Sequence, residues 1–362
     1  FELPSSPQRQ ALIGESVRAI ESATRNPALK LGTLVDSRCL MNALVGLMAS
    51  GGSTNHTIHW ISVARAAGYL IDWSDLEVIS SVTPLLTRVY PNGTEDVNAF
   101  QAAGGTAGLL ATLIDGGFVD GEAPTVWGTS MADTVAEVLP TAEAFSTRPP
   151  GPSRNPEVLR PYTDPFQPDG GIRLMQGNLG RGVCKISAVK QEHRFVEAPC
   201  RVFTDQHEVI DAFDRGEFTQ AVVVVLAHQG PRANGMPELH KLTPILGILQ
   251  DQGLPVALVT DGRMSGASGK VLSAIHVCPE AKSDGPIARL RDGDVVRVDA
   301  RNGTLSVQVP EAEWAVRAPA TLDRNASHVG LGRELFEVFR RAVSPADAGA
   351  SVFNLAPSGE IA

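Results

Sequence analysis

The first third of the chain places hydrophobic residues at the spacing of amphipathic helices. This spacing predicts a helix over 8–25, and a second apolar segment over 40–48 stops at a pair of glycines. We expect Ser53 or Thr54 to cap the next helix, because hydroxyl side chains accept hydrogen bonds from the free amides of a first turn. The S-x-x-E pattern at 74–77 predicts a capping box. The chain is therefore expected to begin with helices.

The pattern changes after residue 171, where short runs rich in β-branched residues replace the helical spacing. These runs predict strands at 183–189, 199–203, 221–227, 256–260, 295–299 and 305–309. Asn302-Gly303 lies between the last two runs and predicts a tight hairpin turn. Helices are expected at about 205–215, 238–251 and 332–342. Many short strands with few helices favour a barrel or a compact mixed sheet.

Seven prolines lie between Pro149 and Pro168, with little hydrophobic periodicity around them. Such a segment is typical of a linker or a long crossover. We therefore predict an α/β protein in three parts. A helix-rich partial α/β domain spans 1–146, a proline-rich linker spans 147–170, and a β-barrel-like, swivelling-type domain with a terminal helix spans 171–362.

Composition narrows the classes of partner. The 362 residues are 43% hydrophobic and carry a net charge of −9, which disfavours a nucleic-acid or anionic-membrane binder. No run of eighteen apolar residues predicts a transmembrane helix, and the first residues do not resemble a secretory signal. The four cysteines lie too far apart in sequence for zinc-type spacing, so we expect reduced thiols in a cytoplasmic protein.

The segment 254–270 carries the strongest chemical signal. An apolar strand is expected to end in a glycine-rich loop that contains Arg263, Ser265, Ser268 and Lys270. Open α/β sheets bind ligands beyond the carboxyl ends of their strands, so this loop is a candidate site for an anionic substrate. The spacing does not match a phosphate-binding P-loop, because Lys270 is not followed by serine or threonine. A tight turn that requires glycine is the alternative.

Two further loops carry isolated polar candidates. Glu238 follows Pro237 in the expected first turn of a helix, where it is either a capping carboxylate or a hard oxygen ligand for Mg²⁺. Asn178 lies in the glycine-rich stretch 176–187, where a substrate contact and a plain turn are equally compatible with the sequence.

A fourth segment, at 49–59, combines glycines, hydroxyls and histidines. Ser53 and Thr54 follow two glycines, which exposes amide N–H groups at a helix N-terminus, a general anion site. His56 and His59 lie three residues apart on one helix face. Since no third ligand lies nearby, histidines that face the core are favoured over a zinc site.

Six motifs in sequence order resemble the family of dihydroxy-acid and phosphogluconate dehydratases. They are GGSTNHTIH (51–59), PLLTRVYPNG (84–93), FQAAGG (100–105), GNLGR (177–181), QGPRANGMPELHKLTP (229–244) and TDGRMSGASGK (260–270). The resemblance extends from about residue 32 to residue 349. The stretches NGMPELHKL and SGASGK favour the phosphogluconate branch of the family.

The resemblance implies the dehydration of 6-phospho-D-gluconate to 2-dehydro-3-deoxy-6-phosphogluconate in the Entner–Doudoroff pathway. It implies an iron–sulfur cluster that polarises the departing hydroxyl and a nearby Mg²⁺ ion that holds the carboxylate. By motif, Ser265 is the implied base and Glu238 an implied Mg²⁺ ligand. The implied substrate-binding residues are Ser53, Thr54, Asn55, His56, Asn178, Arg263, Ser268 and Lys270.

Members of the family are longer than this chain, and none of its four cysteines lies in a recognisable cluster motif. The resemblance therefore implies cluster ligands upstream, so that 1–146 is the later part of a cluster-binding domain and the isolated chain is inactive. It also implies a homodimer acting on a small anionic sugar acid. The alternatives are a sibling dehydratase for dihydroxy acids or other sugar acids, and a non-catalytic module that keeps the fold.

Overall fold

A computed structural model describes residues 7–140, 145–264, 269–322, 330 and 332–353. The chain divides into two compact units. The first contains the residues up to Gly51 together with Ile79–Gly170, and the second contains Gly52–Val78 together with the residues from Gly171 onward. The predicted base Ser265 and the predicted substrate contact Ser268 lie outside the described residues.

The helices fall mainly in the first half of the chain. In chain order they are α1 (Pro7–Thr24), α2 (Leu31–Leu34), α3 (Ser37–Ala49), α4 (His56–Ala66), α5 (Trp73–Val82), α6 (Val97–Ala103), α7 (Gly105–Asp115), α8 (Met131–Thr134), α9 (Gln206–Asp214), α10 (Leu242–Asp251), α11 (Glu311–Val316) and α12 (Glu337–Ala342).

The strands fall mainly in the second half. They are β1 (Glu137–Pro140), β2 (Phe145–Arg148), β3 (Ile172–Gly177), β4 (Gly180–Lys185), β5 (Phe195–Phe203), β6 (Val222–Leu226), β7 (Val256–Thr260), β8 (Leu272–Cys278), β9 (Val295–Asp299) and β10 (Thr304–Val307).

The first unit is built around α3, which is capped by Asp36 and buries one apolar face. The carboxylate of Asp36 accepts a hydrogen bond from the Cys39 amide at 2.9 Å. Buried Asn42 joins this helix to the chain after α7, because its amide donates to the Asp120 carbonyl at 2.9 Å and accepts from the Asp120 amide at 2.8 Å. This pairing satisfies polar groups that would otherwise be costly to bury.

The proline-rich segment belongs to the first unit in this structure. Leu159 forms an isolated β-bridge with Thr87, and Gln167 forms another with Leu85. Val158 and Leu159 are fully or almost fully buried. The proposed division into a domain, a linker and a second domain stays a prediction.

Among the described helices, none alone combines the length and the apolar composition needed to cross a membrane. Only α6 and α7 taken together reach that length and composition, and these two helices are bent by 57° at their junction.

The second unit contains a closed eight-stranded barrel with the strand order β10-β3-β4-β8-β7-β6-β5-β9. Strands β5 to β8 run parallel to one another, and the other neighbouring pairs are antiparallel except β10 with β3. Every residue of β6, β7 and β8 is buried. Parallel strands covered on both faces have continuous apolar sequences, as in VVVVL of β6. The predicted α/β class with a barrel-like domain is confirmed, and so is the Asn302-Gly303 hairpin between β9 and β10.

Both helix-cap predictions were wrong. Helix α4 follows Asn55, which makes no side-chain cap, and the Thr54 hydroxyl donates to the distant Met264 carbonyl instead. At the start of α5, the carboxylate of Asp72 accepts the Ser74 amide at 2.6 Å. Glu77, the expected partner in the capping box, accepts the Leu174 amide at 3.2 Å instead. Thr54 and Glu77 thus form tertiary hydrogen bonds in place of the local pairs that the sequence suggested.

The prediction of a helix over 238–251 was wrong at its beginning. Helix α10 starts at Leu242, and Glu238 forms a parallel β-bridge with Arg263. Glu238 therefore does not lie in a helical first turn, and the helix-dipole argument does not apply to it. Strands β3 and β8 were not predicted, because polar residues interrupt their apolar sequences.

Candidate active site

The parallel strands β6, β7 and β8 end at one edge of the barrel, where buried Asp261 joins the chain segments that follow them. Its carboxylate accepts the amides of His228 at 3.2 Å and Gln229 at 2.8 Å, both just after β6. It also accepts the Ala281 amide at 2.9 Å, just after β8. Burial raises the pKa of Asp261 to about 6, although these amides act in the opposite direction.

A second carboxylate, Glu280, holds the same loop from the other side. It accepts the amides of Arg232, at 3.0 and 3.1 Å, and of Ala233, at 3.2 Å. Burial raises the pKa of Glu280, and the neighbouring charge of Asp261 raises it further. Gly230 lies so close to the Glu280 carboxylate that a side chain at this position would collide with it. The loop 228–233 is therefore wrapped around two carboxylates.

Three of the predicted site residues meet beside this loop. The Glu238 carboxylate oxygen Oε2 lies 3.1 Å from Nη1 of Arg263 and 3.2 Å from Nδ2 of Asn55. These residues belong to three separate sequence segments. The site thus combines an anionic carboxylate, a guanidinium and an amide within hydrogen-bonding distance.

The side-chain oxygen of Asn55 accepts no hydrogen bond from any described residue. In the part of the chain that the structure describes, its Oδ1 is buried and accepts no hydrogen bond, while Nδ2 donates to Glu238. A buried amide oxygen without a donor is costly unless a cation or a water binds it. Hard oxygen atoms are the ligands that Mg²⁺ prefers, so Asn55 and Glu238 fit a magnesium ion.

Thr54 fixes the chain that precedes the predicted base. Its buried hydroxyl donates to the Met264 carbonyl at 2.6 Å, and the Thr57 hydroxyl donates back to the Thr54 carbonyl at 2.8 Å. On the other side, the Arg263 Nε donates to the Met236 carbonyl at 2.6 Å. Residues 263 and 264 are therefore held by two separate parts of the second unit.

His276 on β8 is a site residue that the sequence reasoning missed. Its Nδ1 lies 3.4 Å from the Thr57 hydroxyl, whose proton is already donated to the Thr54 carbonyl. The hydroxyl can then only accept, which places the imidazole proton on Nδ1 and leaves a lone pair on Nε2. Burial, together with the positive charges of Arg263 and His59, lowers the pKa of His276 to about 3.

The backbone and ring of His276 are held tightly. Its φ of 59° is left-handed, an unusual conformation for a residue other than glycine. Its amide donates to the Gly262 carbonyl at 2.9 Å, and the Trp73 ring packs 6.3 Å from the imidazole. Among the described residues, Nε2 is buried without a hydrogen-bond partner. A histidine inside an otherwise apolar β-run was the sequence signal that could have revealed it.

Lys185 at the end of β4 adds a buried cation to the second unit. Its Nζ donates to the Gly52 carbonyl at 3.2 Å, and burial lowers its pKa to about 8. Gly52 lies three residues before Asn55, so this ammonium supports the loop that leads into α4.

Four other residues predicted to bind substrate form hydrogen bonds or an ion pair within the protein or are exposed. The Asn178 amide exchanges two hydrogen bonds with the backbone of Val307, at 2.9 and 2.8 Å, which joins β10 to the β3–β4 turn. Lys270 forms an exposed ion pair with Asp251 at 2.5 Å. The Ser53 hydroxyl accepts the Asn55 amide at 3.2 Å. His56 and His59 are both exposed, so the prediction that they face the core was wrong. The substrate-binding roles of these four residues stay predictions.

The cysteines of this chain do not fit an iron–sulfur cluster. Cluster ligands are thiolates that converge on one point, whereas Cys184, Cys200 and Cys278 are each buried, and burial raises the pKa of each thiol to about 12. Nowhere in the described ranges do three or more histidine, cysteine or acidic side chains group as a metal site would require.

Comparison with known families identifies the chain. A profile of the C-terminal region of dihydroxy-acid/6-phosphogluconate dehydratases matches residues 157–350, and a profile of the N-terminal region matches residues 1–134. The chain belongs to the dihydroxy-acid/6-phosphogluconate dehydratase family. The resemblance carried by the six sequence motifs is thereby confirmed.

Curated members of this dehydratase family align along almost the whole chain. A phosphogluconate dehydratase from Pseudomonas aeruginosa is 49% identical over 99% of this chain and 59% of its own length. The one from Escherichia coli is 46% identical over 97% of this chain and 59% of its own length. A dihydroxy-acid dehydratase from Parvibaculum lavamentivorans is 33% identical over 83% of the chain. The chain thus spans about 59% of the length of the phosphogluconate dehydratases it matches.

Proposed function

We propose that this chain forms part of a hydro-lyase that converts 6-phospho-D-gluconate to 2-dehydro-3-deoxy-6-phosphogluconate. The observation that carries the proposal is the similarity to relatives named phosphogluconate dehydratase, which reaches 49% identity over 99% of the chain. Similarity to the dihydroxy-acid dehydratase is lower, at 33%. The cluster of Asn55, Glu238 and Arg263 supplies polar chemistry suited to a sugar acid.

The reaction removes a proton from the carbon next to a carboxylate and expels hydroxide from the neighbouring carbon. The first step needs a base, and the second needs an electrophile because hydroxide is a poor leaving group. We assign the base to Ser265, which follows residues 263 and 264 in the segment that Thr54 and Arg263 hold in place. The resulting enol then tautomerises to the 2-keto acid, so that one water is lost overall.

Arg263 is suited to bind the substrate carboxylate, since its planar guanidinium can form parallel hydrogen bonds with two oxygens. Glu238 and the unpartnered oxygen of Asn55 would hold Mg²⁺. Bound there, the ion supplies positive charge that stabilises the developing carboxylate-enolate and lowers the pKa of a coordinated hydroxyl. We expect the iron–sulfur cluster to be held by residues outside this chain.

The test is dehydration by the protein in its native length, reconstituted anaerobically with iron, sulfide and Mg²⁺. Formation of 2-keto acid is measured for 6-phospho-D-gluconate, D-gluconate and 2,3-dihydroxyisovalerate. Selective turnover of the first supports the proposal, and selective turnover of the last indicates the sibling dehydratase. Turnover of none by a protein with a full cluster complement indicates a non-catalytic module.

A matched pair of variants tests the base in the same assay. Ser265→Ala should lower turnover by about 10²–10⁴-fold, the usual contribution of a positioned base. Ser306→Ala, which removes a hydroxyl on the short strand β10, is the control and should keep full activity. Equal activity of the two variants would remove Ser265 from the mechanism. A homodimer, also expected for this family, is tested by light scattering on the same preparation.

A further inference from the structure

A cationic cavity of about 430 Å³ lies in the second unit, outside the cluster of Asn55, Glu238 and Arg263. His228 contributes from the end of β6, and Lys282 contributes from the turn after β8. The residues of this cavity therefore include chain that follows the carboxyl ends of two parallel strands. Crevices beyond such ends are the usual ligand sites of α/β sheets.

Charge distinguishes this cavity from the rest of the molecule. Among the described residues, its lining contains four cations, Arg232, Lys282, Arg340 and Arg341, against one carboxylate, Glu337. The whole chain has a net charge of −9, so the local excess of positive charge runs against the overall composition. Positive charges gathered in a concave surface attract and concentrate anions.

Most of this positive charge is not neutralised within the protein. Glu337 forms an ion pair with Arg341. Within the described ranges, Lys282 and Arg340 form no ion pair, and Arg232 forms none either, although its charge acts on buried Glu280. An anion could therefore contact these three cations without first breaking an ion pair.

One of these cations is already positioned. The Nε of Arg232 donates to the Val343 carbonyl at 3.1 Å, and its amide donates to buried Glu280. The neighbouring His228 amide is held by Asp261 at 3.2 Å, with a left-handed φ of 62°. A guanidinium whose side chain and backbone are fixed loses little conformational freedom when it binds an anion.

We propose that this cavity binds the phosphate group of a small molecule. A dianionic group with several acceptor oxygens suits three unpaired cations better than a single carboxylate does, and arginine pairs with phosphate through two hydrogen bonds. The phosphate is either free in solution or part of a phosphorylated sugar acid. Only the second source rests on the proposed function.

Binding of inorganic phosphate to the 362-residue chain, measured by isothermal titration calorimetry, tests the site. Lys282→Gln and Arg340→Gln should each weaken binding by about tenfold, the effect expected for one lost charge-assisted hydrogen bond. Glu337→Gln should strengthen binding, since it removes the only carboxylate among the described residues of the cavity and releases Arg341. Arg215→Gln, at an exposed residue paired with Glu217, is the matched control and should change nothing.

The opposite signs keep the test decisive even if one variant is poorly folded. Undetectable phosphate binding overturns the proposal, and so does equal weakening by Arg215→Gln and Arg340→Gln. Unchanged or weaker binding by Glu337→Gln overturns it as well. Circular dichroism on each variant verifies that the fold is retained.

A second titration separates the two sources of phosphate. If 6-phospho-D-gluconate binds more tightly than phosphate and Arg340→Gln removes the difference, the cavity holds the substrate's phosphate. If both bind equally and D-gluconate does not compete, the cavity is a site for free phosphate. Failure of the proposed dehydratase activity would leave the phosphate titration unaffected, so the two proposals can fail separately.

Discussion

Arg263 and Glu238 are joined twice, by a parallel β-bridge between their backbones and by a 3.1 Å contact between Nη1 and Oε2. The same guanidinium donates through Nε to the Met236 carbonyl at 2.6 Å. Arg263 therefore fixes both the loop that carries Glu238 and the start of the segment that leads to Ser265. One side chain thus holds the loop of the candidate metal ligand against the residue that begins this segment.

This arrangement predicts a specific effect of changing the carboxylate. Glu238→Gln keeps the shape of the side chain but removes the negative charge that attracts Mg²⁺. The reconstituted native-length enzyme should then need at least about tenfold more Mg²⁺ for half-maximal activity, since a charge-assisted contact is lost. The measurement is the dehydration rate as a function of Mg²⁺ concentration.

Glu192→Gln supplies the control for that titration, because Glu192 is an exposed residue in the second unit. Its Mg²⁺ requirement should equal that of the unmodified enzyme. An unchanged requirement in Glu238→Gln would show that the carboxylate does not bind the metal.

The Thr54 hydroxyl is expected to stabilise the second unit. Thr54→Val removes the 2.6 Å hydrogen bond and leaves the Met264 carbonyl without a donor, at a cost of about 1–3 kcal/mol in the free energy of unfolding. Thr24→Val, which removes an exposed hydrogen bond to the Glu21 carbonyl, should cost no more than about 0.5 kcal/mol. Urea unfolding of the two variants provides the comparison, and equal midpoints would contradict this role.

The local parts of the fold were predictable, and the contacts between distant segments were not. The apolar sequence of β6 and the Asn-Gly turn before β10 are local signals, and both gave the observed structure. The local sequence predicted that Thr54 caps a helix, whereas the carbonyl that its hydroxyl contacts belongs to Met264, 210 residues away. Glu238 was predicted to lie in a helix for a similar reason, since the sequence around it gives no sign of its β-bridge to Arg263. Long-range hydrogen bonds therefore decided the places where local propensity failed.

His276 should make the protein less stable in acid. Its pKa falls from 6.5 to about 3 on folding, so between these pH values the unfolded chain binds a proton that the folded chain does not bind. The free energy of unfolding should therefore decrease as the pH falls from 6.5 toward 3, by at most about 1.4 kcal/mol per pH unit. His276→Asn, chosen because asparagine tolerates a left-handed φ, should remove this contribution.

Nuclear magnetic resonance of the imidazole gives a direct check on the same prediction. The His276 ring signals should stay in the neutral form between pH 7 and pH 5. A titration of His276 within that interval would contradict a buried neutral ring.

Asp261 should change the free energy of unfolding with pH in the direction opposite to His276. Its pKa rises from 3.8 to about 6 on folding, so in this window the folded chain binds a proton that the unfolded chain has released. The favourable contribution is complete below pH 3.8 and is lost as the pH rises through about 6. Glu280, whose pKa is raised partly by the Asp261 charge, should widen the transition. Between about pH 4 and 6 the effects of His276 and Asp261 thus offset each other, and the free energy of unfolding of the unmodified chain should vary little with pH.

Asp261→Asn should be less stable at every pH, because its amide cannot accept all three backbone N–H groups. The free energy of unfolding of Asp261→Asn should nevertheless rise more steeply with pH than that of the unmodified chain. The free energy of unfolding of His276→Asn should instead decrease as the pH rises over the same window. Urea titrations at half-unit pH intervals measure both slopes, and parallel profiles for the two variants would refute the assignment of opposite proton linkage to these buried groups.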